Sequence, residues 1–120
     1  MDTILYPKAL KFSIRIVKLQ RYLVADKKEY LLSKQVLKSG TSIGANVAEA
    51  IGAISRADFS QKISIAYKES LETKYWLELL KETDLITPRQ FQNLYDDCDE
   101  LSRIMFKILK TTRIDPENSP

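Results

Sequence analysis

Any chemistry in this chain would have to come from carboxylates, one thiol and lysines, because the sequence contains no histidine. That absence removes imidazole acid–base catalysis, the serine–histidine–aspartate triad and histidine metal ligands. It also removes the Glu-x-x-His repeat on which di-iron sites in helical bundles are built. Cys98 is the single cysteine, too few for a structural zinc site or an intrachain disulfide. Lys38-Ser39-Gly40 lacks the upstream glycine of a phosphate-binding P-loop. Two carboxylate groups remain. Asp96, Asp97, Asp99 and Glu100 flank Cys98 and could hold a hard cation. Their spacing instead spreads them around a helix, with Asp99 one turn before Arg103, so they read as a solvated face. Glu69 and Glu72, near Trp76, read as acceptors buried at a helix or subunit contact, with solvated or functional roles as alternatives. No catalytic residue, metal ligand or cofactor is expected, and the chain reads as non-enzymatic.

Binding has better material. Lys8, Lys11, Arg15 and Lys18 recur at i, i+3, i+7 and i+10, which places them on one side of a helix. Arg21, Lys27 and Lys28 extend this stripe, and Tyr22 offers a stacking surface. Such a stripe can follow a phosphate backbone, each contact adding salt-dependent affinity without reading sequence. A solvated helix showing its lysines looks the same. The net charge is only +3, from 19 basic and 16 acidic residues. Its distribution is uneven: residues 1–38 hold nine basic groups and three acidic ones, and the remainder is acidic. A basic first third on an acidic body suits a polyanion or an acidic partner surface. Ser39, Ser42, Asn46 and Glu49 share the same spacing. They could hydrogen-bond across a bundle or a subunit boundary, fixing register, or form part of a ligand surface.

Four helical segments must position these groups. The first spans about Pro7 to Ala25, with Pro7 in its first turn and Phe12, Ile16, Leu19 and Leu23 as its inward stripe. The second, from about Glu29 to Gly52, carries Leu32, Val36 and Leu37 and then SGTSIGANVAEA (Ser39–Ala50). There Gly40, Gly44 and Ala48 lie four apart, on the side of Ile43, Val47 and Ile51. Two glycines inside a helix cost roughly 1 kcal/mol each against alanine, and a closely packed neighbouring helix is the usual reason to tolerate them. Ser55 caps the third helix, with Asp58 in its first turn. It runs to about Thr83, with Phe59, Ile63, Ala66, Ser70, Leu77 and Leu80 facing one way. Thr87, Pro88 and Gln90 form a capping box for the fourth, followed by Phe91, Leu94, Cys98, Leu101, Met105 and Ile108 in strict three-four alternation. No strand-type alternation competes, and four helices with short turns read as an all-α, antiparallel up-down-up-down bundle.

Two helices are apolar on a second side as well. Leu10, Ile14 and Val17 form an outer row on the first, and Ile65, Trp76 and Leu79 lie opposite the core of the third. Ile14, Val17, Trp76 and Leu79 are therefore the expected contacts of a self-associating chain. No run approaches the ~18 apolar residues that span a bilayer, a basic residue every few positions interrupts any signal-peptide apolar region in the first helix, and a cytoplasmic protein without membrane contact is expected.

TSIGANVAEA (Thr41–Ala50), DFSQKISIAYKESLETKYWLELL (Asp58–Leu80) and the DLIT that leads into the last helix together resemble the four-helix bundle protein family. Its first members were found encoded in intervening sequences within bacterial large-subunit ribosomal RNA genes. The likeness runs from about Phe12 to Leu109, and S-I-x-A-N-x-A-E followed by S-L-E-x-x-Y-W-L carries it. Ser42, Asn46, Glu49, Glu72 and Trp76 are the positions that match the family pattern. The resemblance implies an up-down bundle assembling as a homopentameric ring, without enzymatic activity. It also implies a nucleic-acid role and a reverse transcriptase or other protein among the partners. The reason is that the similar accessory proteins of diversity-generating retroelements form basic pentameric barrels that engage both. The sequence thus predicts a bundle over residues 1–113 and a disordered tail over 114–120. The bundle is expected to self-associate and to present its basic stripe to RNA or DNA. The alternative is a protein-binding adaptor or scaffold without nucleic-acid contact.

Overall fold

Pro7 does sit in the first turn of a helix, but that helix, α1 (Leu5–Ala25), opens two residues before it. The computed structural model describes residues 4–114. Three more helices follow, α2 (Leu32–Ile51), α3 (Arg56–Glu82) and α4 (Pro88–Ile114), and no strand occurs among the described residues. They form a bundle of 50 × 22 × 22 Å in which α1 packs on α2, α2 on α3 and α3 on α4, and α4 returns to α1 with the lightest contact. α1 and α3 therefore sit diagonally across the bundle. Helix α4 includes Ile114, which the sequence assigned to the tail, while 115–120 lies outside the described residues.

Local chemistry sets the helix ends. Thr87 and Gln90 form the expected capping box: Gln90 N donates to Thr87 Oγ1 at 3.1 Å and Thr87 N to Gln90 Oε1 at 2.8 Å. At α3, Asp58 N donates to Ser55 Oγ at 3.0 Å, and Ile54 N to Asp58 Oδ2 at 3.2 Å. The start of α2 corrects the sequence reading. Glu29 lies outside the helix and caps it, its Oε2 accepting from Leu32 N at 2.7 Å and Ser33 N at 3.2 Å. A carboxylate there also complements the positive end of the helix dipole. Lys28, in the turn before it, has φ 55°, and its ammonium donates to the last carbonyl of α1, Ala25 O, at 2.9 Å.

The core is the predicted one with two rotations. Phe12, Ile16, Val36, Ile43, Val47, Ile63, Leu77, Leu80, Cys98, Leu101 and Met105 are all buried. At the end of α4, Leu109 is buried and Ile108 only half-buried, because a strict seven-residue alternation drifts about 20° per heptad on a straight helix. In α2, Gly40 and Gly44 are buried, whereas Ala48 and Ile51 are exposed. Each four-residue step advances about 40° around a helix, so the row turns away from its neighbour. The glycines meet α1. A β-carbon on Gly40 would lie 2.8 Å from Ile16 Cγ2, and one on Gly44 would lie 3.1 Å from Ser13 Oγ.

A line of small polar groups crosses the core. Ser39 of α2 and Thr73 of α3 are buried with their hydroxyl oxygens 3.0 Å apart, and Ser70 of α3 meets Ser102 of α4 at 2.7 Å. The Cys98 thiol donates to Ser70 O at 3.3 Å, and burial pushes its pKa up to about 12. Ser33 Oγ is the one buried side-chain oxygen or nitrogen among the described residues without a partner.

Candidate nucleic-acid interface

The basic stripe divides into two halves with different neighbours. Running antiparallel to α4, α1 turns Lys8 and Arg15 toward that helix. Lys8 Nζ pairs with Glu100 at 3.2 Å, and Arg15 binds Asp97 Oδ2 and reaches Asn93 O at 3.5 Å. Lys11 and Lys18 lie further round the same helix, are exposed, and form no ion pair among the described residues. Surface pairs contribute only about 0–1 kcal/mol; their consequence here is that half of the stripe already faces carboxylates.

The same pairing accounts for the acidic cluster. Asp97 and Glu100 turn to α1. Asp99 turns to α3, where Lys74 Nζ donates to it at 2.7 Å, and Arg103 adds the expected contact one turn on at 3.0 Å. The Lys74 hydrogen bond holds Asp99 below the usual carboxylate range. Asp96 accepts from Gln92 Nε2 at 2.7 Å. No grouping of carboxylates or the thiol fit for a metal ion occurs among the described residues.

Beyond Arg15, toward the end of α1, the side chains of α1 and α4 part. They leave a hollow of about 440 Å³ lined by Arg15, Lys18, Leu19, Tyr22, Gln90, Asn93 and Leu94. It adjoins a smaller one of about 190 Å³ that shares Tyr22 and Gln90 and adds Lys27 and Asp84. The sequence singled out Tyr22 and the lysines. It gave no sign that Gln90, Asn93 and Leu94 would complete their surroundings, because that depends on which helix faces α1.

The four predicted polar positions do not form one surface. Ser39 is in the core, where Thr73 of α3 supplies a hydrogen bond across the bundle, as the first of the two expected roles requires. Ser42 Oγ donates to Lys38 O at 2.6 Å and Asn46 Nδ2 to Ser42 O at 2.8 Å, both within α2. Glu49 pairs with Lys62 of α3 at 3.2 Å. Glu72 accepts from Trp76 Nε1 at 3.2 Å, and Glu69 is raised above its ordinary pKa by burial and by Glu72 beside it.

On the outer faces, Leu10 and Ile14 of α1 remain 47% and 49% exposed, with Val17 half-buried beside them. Trp76 and Leu79 are already half-buried by their own chain, Trp76 edge-on to Tyr75 at 5.0 Å between ring centres. The more open apolar groups on that side are Leu71, Tyr75 and, across the α3–α4 seam, Phe106. No helix among the described residues is long and apolar enough to cross a membrane.

A family model described as 23S rRNA-intervening sequence protein matches residues 1–107. A crystal structure of a protein with unknown function from the S23 ribosomal protein family of Bacteroides thetaiotaomicron is 50% identical. The match covers 89% of this chain and 99% of that one, with a TM-score of 0.88. No curated protein matches the chain.

Proposed function

Because the chain belongs to the 23S rRNA-intervening sequence protein family, we propose that it is a non-catalytic, self-associating bundle that holds nucleic acid against the outer side of α1. Lys11 and Lys18 carry this reading: two exposed cations, unpaired among the described residues and about 10 Å apart along one helix, beside the exposed Leu10 and Ile14. The first pair suits phosphates, and the second suits another protein surface.

Self-association draws support from where the apolar groups fall. The α1 row and the Leu71–Tyr75–Phe106 group lie on different sides of the bundle. Contact between one copy's row and the next copy's group is heterologous, and heterologous contacts close into rings when the rotation permits. Five copies is the number that the sequence resemblance implies. A ring also repeats the lysines, and linked weak contacts raise avidity by about 10²–10⁴ when the ligand spans several sites.

The test uses retention of RNA and DNA across a salt series, with light scattering on the same samples. Wild type should bind at low salt with little sequence preference, weaken steeply as salt rises, and have a mass several times 13.8 kDa. Lys11→Glu with Lys18→Glu should abolish binding and keep the mass; Ile14→Glu should lower the mass. Lys8 and Arg15 are poorer targets, since glutamate there would face Glu100 and Asp97. An assembled protein that retains no nucleic acid at low salt would instead be an adaptor acting through its apolar faces, and a monomer would overturn the self-association.

A further inference from the structure

The α1–α4 seam is stitched along one half by Lys8–Glu100 and Arg15–Asp97 and open along the other. The open half joins three kinds of group. Its floor is apolar, from Leu19 and Leu94. Tyr22, half-buried, lines both adjoining hollows. The rim carries the cations Arg15, Lys18 and Lys27 together with the side-chain amides of Gln90 and Asn93. Gln90 spends its carbonyl oxygen on the Thr87 cap, which leaves its NH₂ to donate, and the Asn93 side-chain amide has no partner among the described residues.

We infer that this groove receives an unpaired nucleotide of a bound single strand, an inference that rests on the nucleic-acid reading above. An unstacked base needs an aromatic or apolar surface for its face and donors and acceptors for its edge, and its phosphates need cations. Here Tyr22, Leu19 and Leu94 supply the first, Asn93 and Gln90 the second, and Lys18, with Lys27 at the smaller hollow, the third. The volume lies within the roughly 300–1,000 Å³ of small-molecule sites. Two carboxylates are nearby: Asp97 is held by Arg15, and Asp84 borders the smaller hollow together with Lys27. A base inside a duplex keeps its edge paired and its faces stacked, so the groove selects single strands, whereas Lys11 on the outer face takes either form.

The experiment compares a short mixed-sequence RNA with its own duplex at low ionic strength, using the full chain and fluorescence anisotropy. In wild type the single strand should bind about tenfold or more tightly than the duplex. Tyr22→Leu should weaken the single strand by about 5- to 100-fold, the range for losing one base stack, and leave the duplex unchanged. Asn93→Ala, at an exposed position, should weaken the single strand several-fold. A 4-thiouridine strand should photocrosslink to the peptide containing Tyr22. If Tyr22→Leu lowers helicity, Asn93→Ala and the crosslink decide. Equal affinity for both forms, with both variants binding as wild type, overturns the groove and leaves the nucleic-acid reading standing. Loss of binding to both forms in wild type overturns the two together.

Discussion

Gly40 and Gly44 look equivalent in sequence and should respond to alanine with opposite signs. In a helix interior, alanine gains roughly 1 kcal/mol over glycine. At Gly40 that gain meets Ile16 Cγ2 at 2.8 Å and Cγ1 at 2.9 Å, both branch carbons of a fully buried side chain. An isoleucine on a helix has essentially one χ1 rotamer and cannot swing aside. Overpacking costs about 1–3 kcal/mol, and such stiff neighbours belong in the upper half of that range. The net loss should be about 1–2 kcal/mol. At Gly44 the nearest atom is Ser13 Oγ at 3.1 Å, a half-buried hydroxyl that can rotate, and Ala9 O follows at an ordinary 3.5 Å. Alanine there should be neutral or stabilise by up to about 1 kcal/mol. Leucine should cost several kcal/mol, because its outer carbons would run into the Ala9 backbone. For a chain of this size 1 kcal/mol corresponds to about 4 °C, so the two alanine variants should melt about 8 °C apart. Thermal and urea unfolding, followed by Trp76 fluorescence at fixed protein concentration, provide the measurement. Placing Gly40→Ala in an Ile16→Ala background should reverse its sign, since the obstructing carbons are gone. Equal stabilities for the two alanine variants, or no reversal, would refute the α1–α2 contact as described.

Cys98 should resist thiol reagents in the native protein at neutral pH and react at the rate of global unfolding, because it is buried and its pKa is pushed up to about 12; rapid stoichiometric labelling would contradict that burial. Asp99 is held below its unfolded pKa of about 3.9, so its contribution to stability is complete above that value and lost as pH falls through the lower folded value. Lys74→Met should lower stability near neutrality and flatten the acid limb below about pH 4, and parallel stability-versus-pH curves for the two proteins would exclude the pair as a contributor. Ser33→Ala removes a buried hydroxyl without a partner and should be neutral or stabilise by about 1 kcal/mol; a clear loss on chemical denaturation would mean that the hydroxyl is bonded.

Caps and core stripes were legible because they are local. The Thr87–Gln90 box and the Ser55–Asp58 pair depend only on residues three apart, and the periodic apolar rows depend only on helix geometry. Glu29 escaped because an acid before a helix is read as its first residue unless the chain is known to turn there, as it does through Lys28. The burial of Ser39 and the identity of its partner escaped because a polar side chain enters the core only when a group such as Thr73 waits on another helix. The candidate site was half legible for the same reason. One helix's periodicity shows that Lys8, Lys11, Arg15 and Lys18 share a side, but not that α4 will bring carboxylates to two of them and Gln90 and Asn93 to the groove beyond.

The Lys8–Glu100 and Arg15–Asp97 pairs give this protein counter-ions that it cannot release. When a cation on a protein meets a phosphate, part of the affinity comes from small ions returning to solution, and the salt slope counts them. A phosphate reaching Lys8 or Arg15 still sheds its own condensed cations, but it must displace a carboxylate that stays tethered to α4 and, once uncovered, attracts cations in turn, so the contact is weaker and the net release smaller. Two proteins with the same four-residue stripe would then differ in salt response according to what the adjacent helix carries. In the proposed binding mode, the α4 carboxylates would stand in for phosphates, setting how strongly an outside polyanion must compete before it gains the inner half of the stripe.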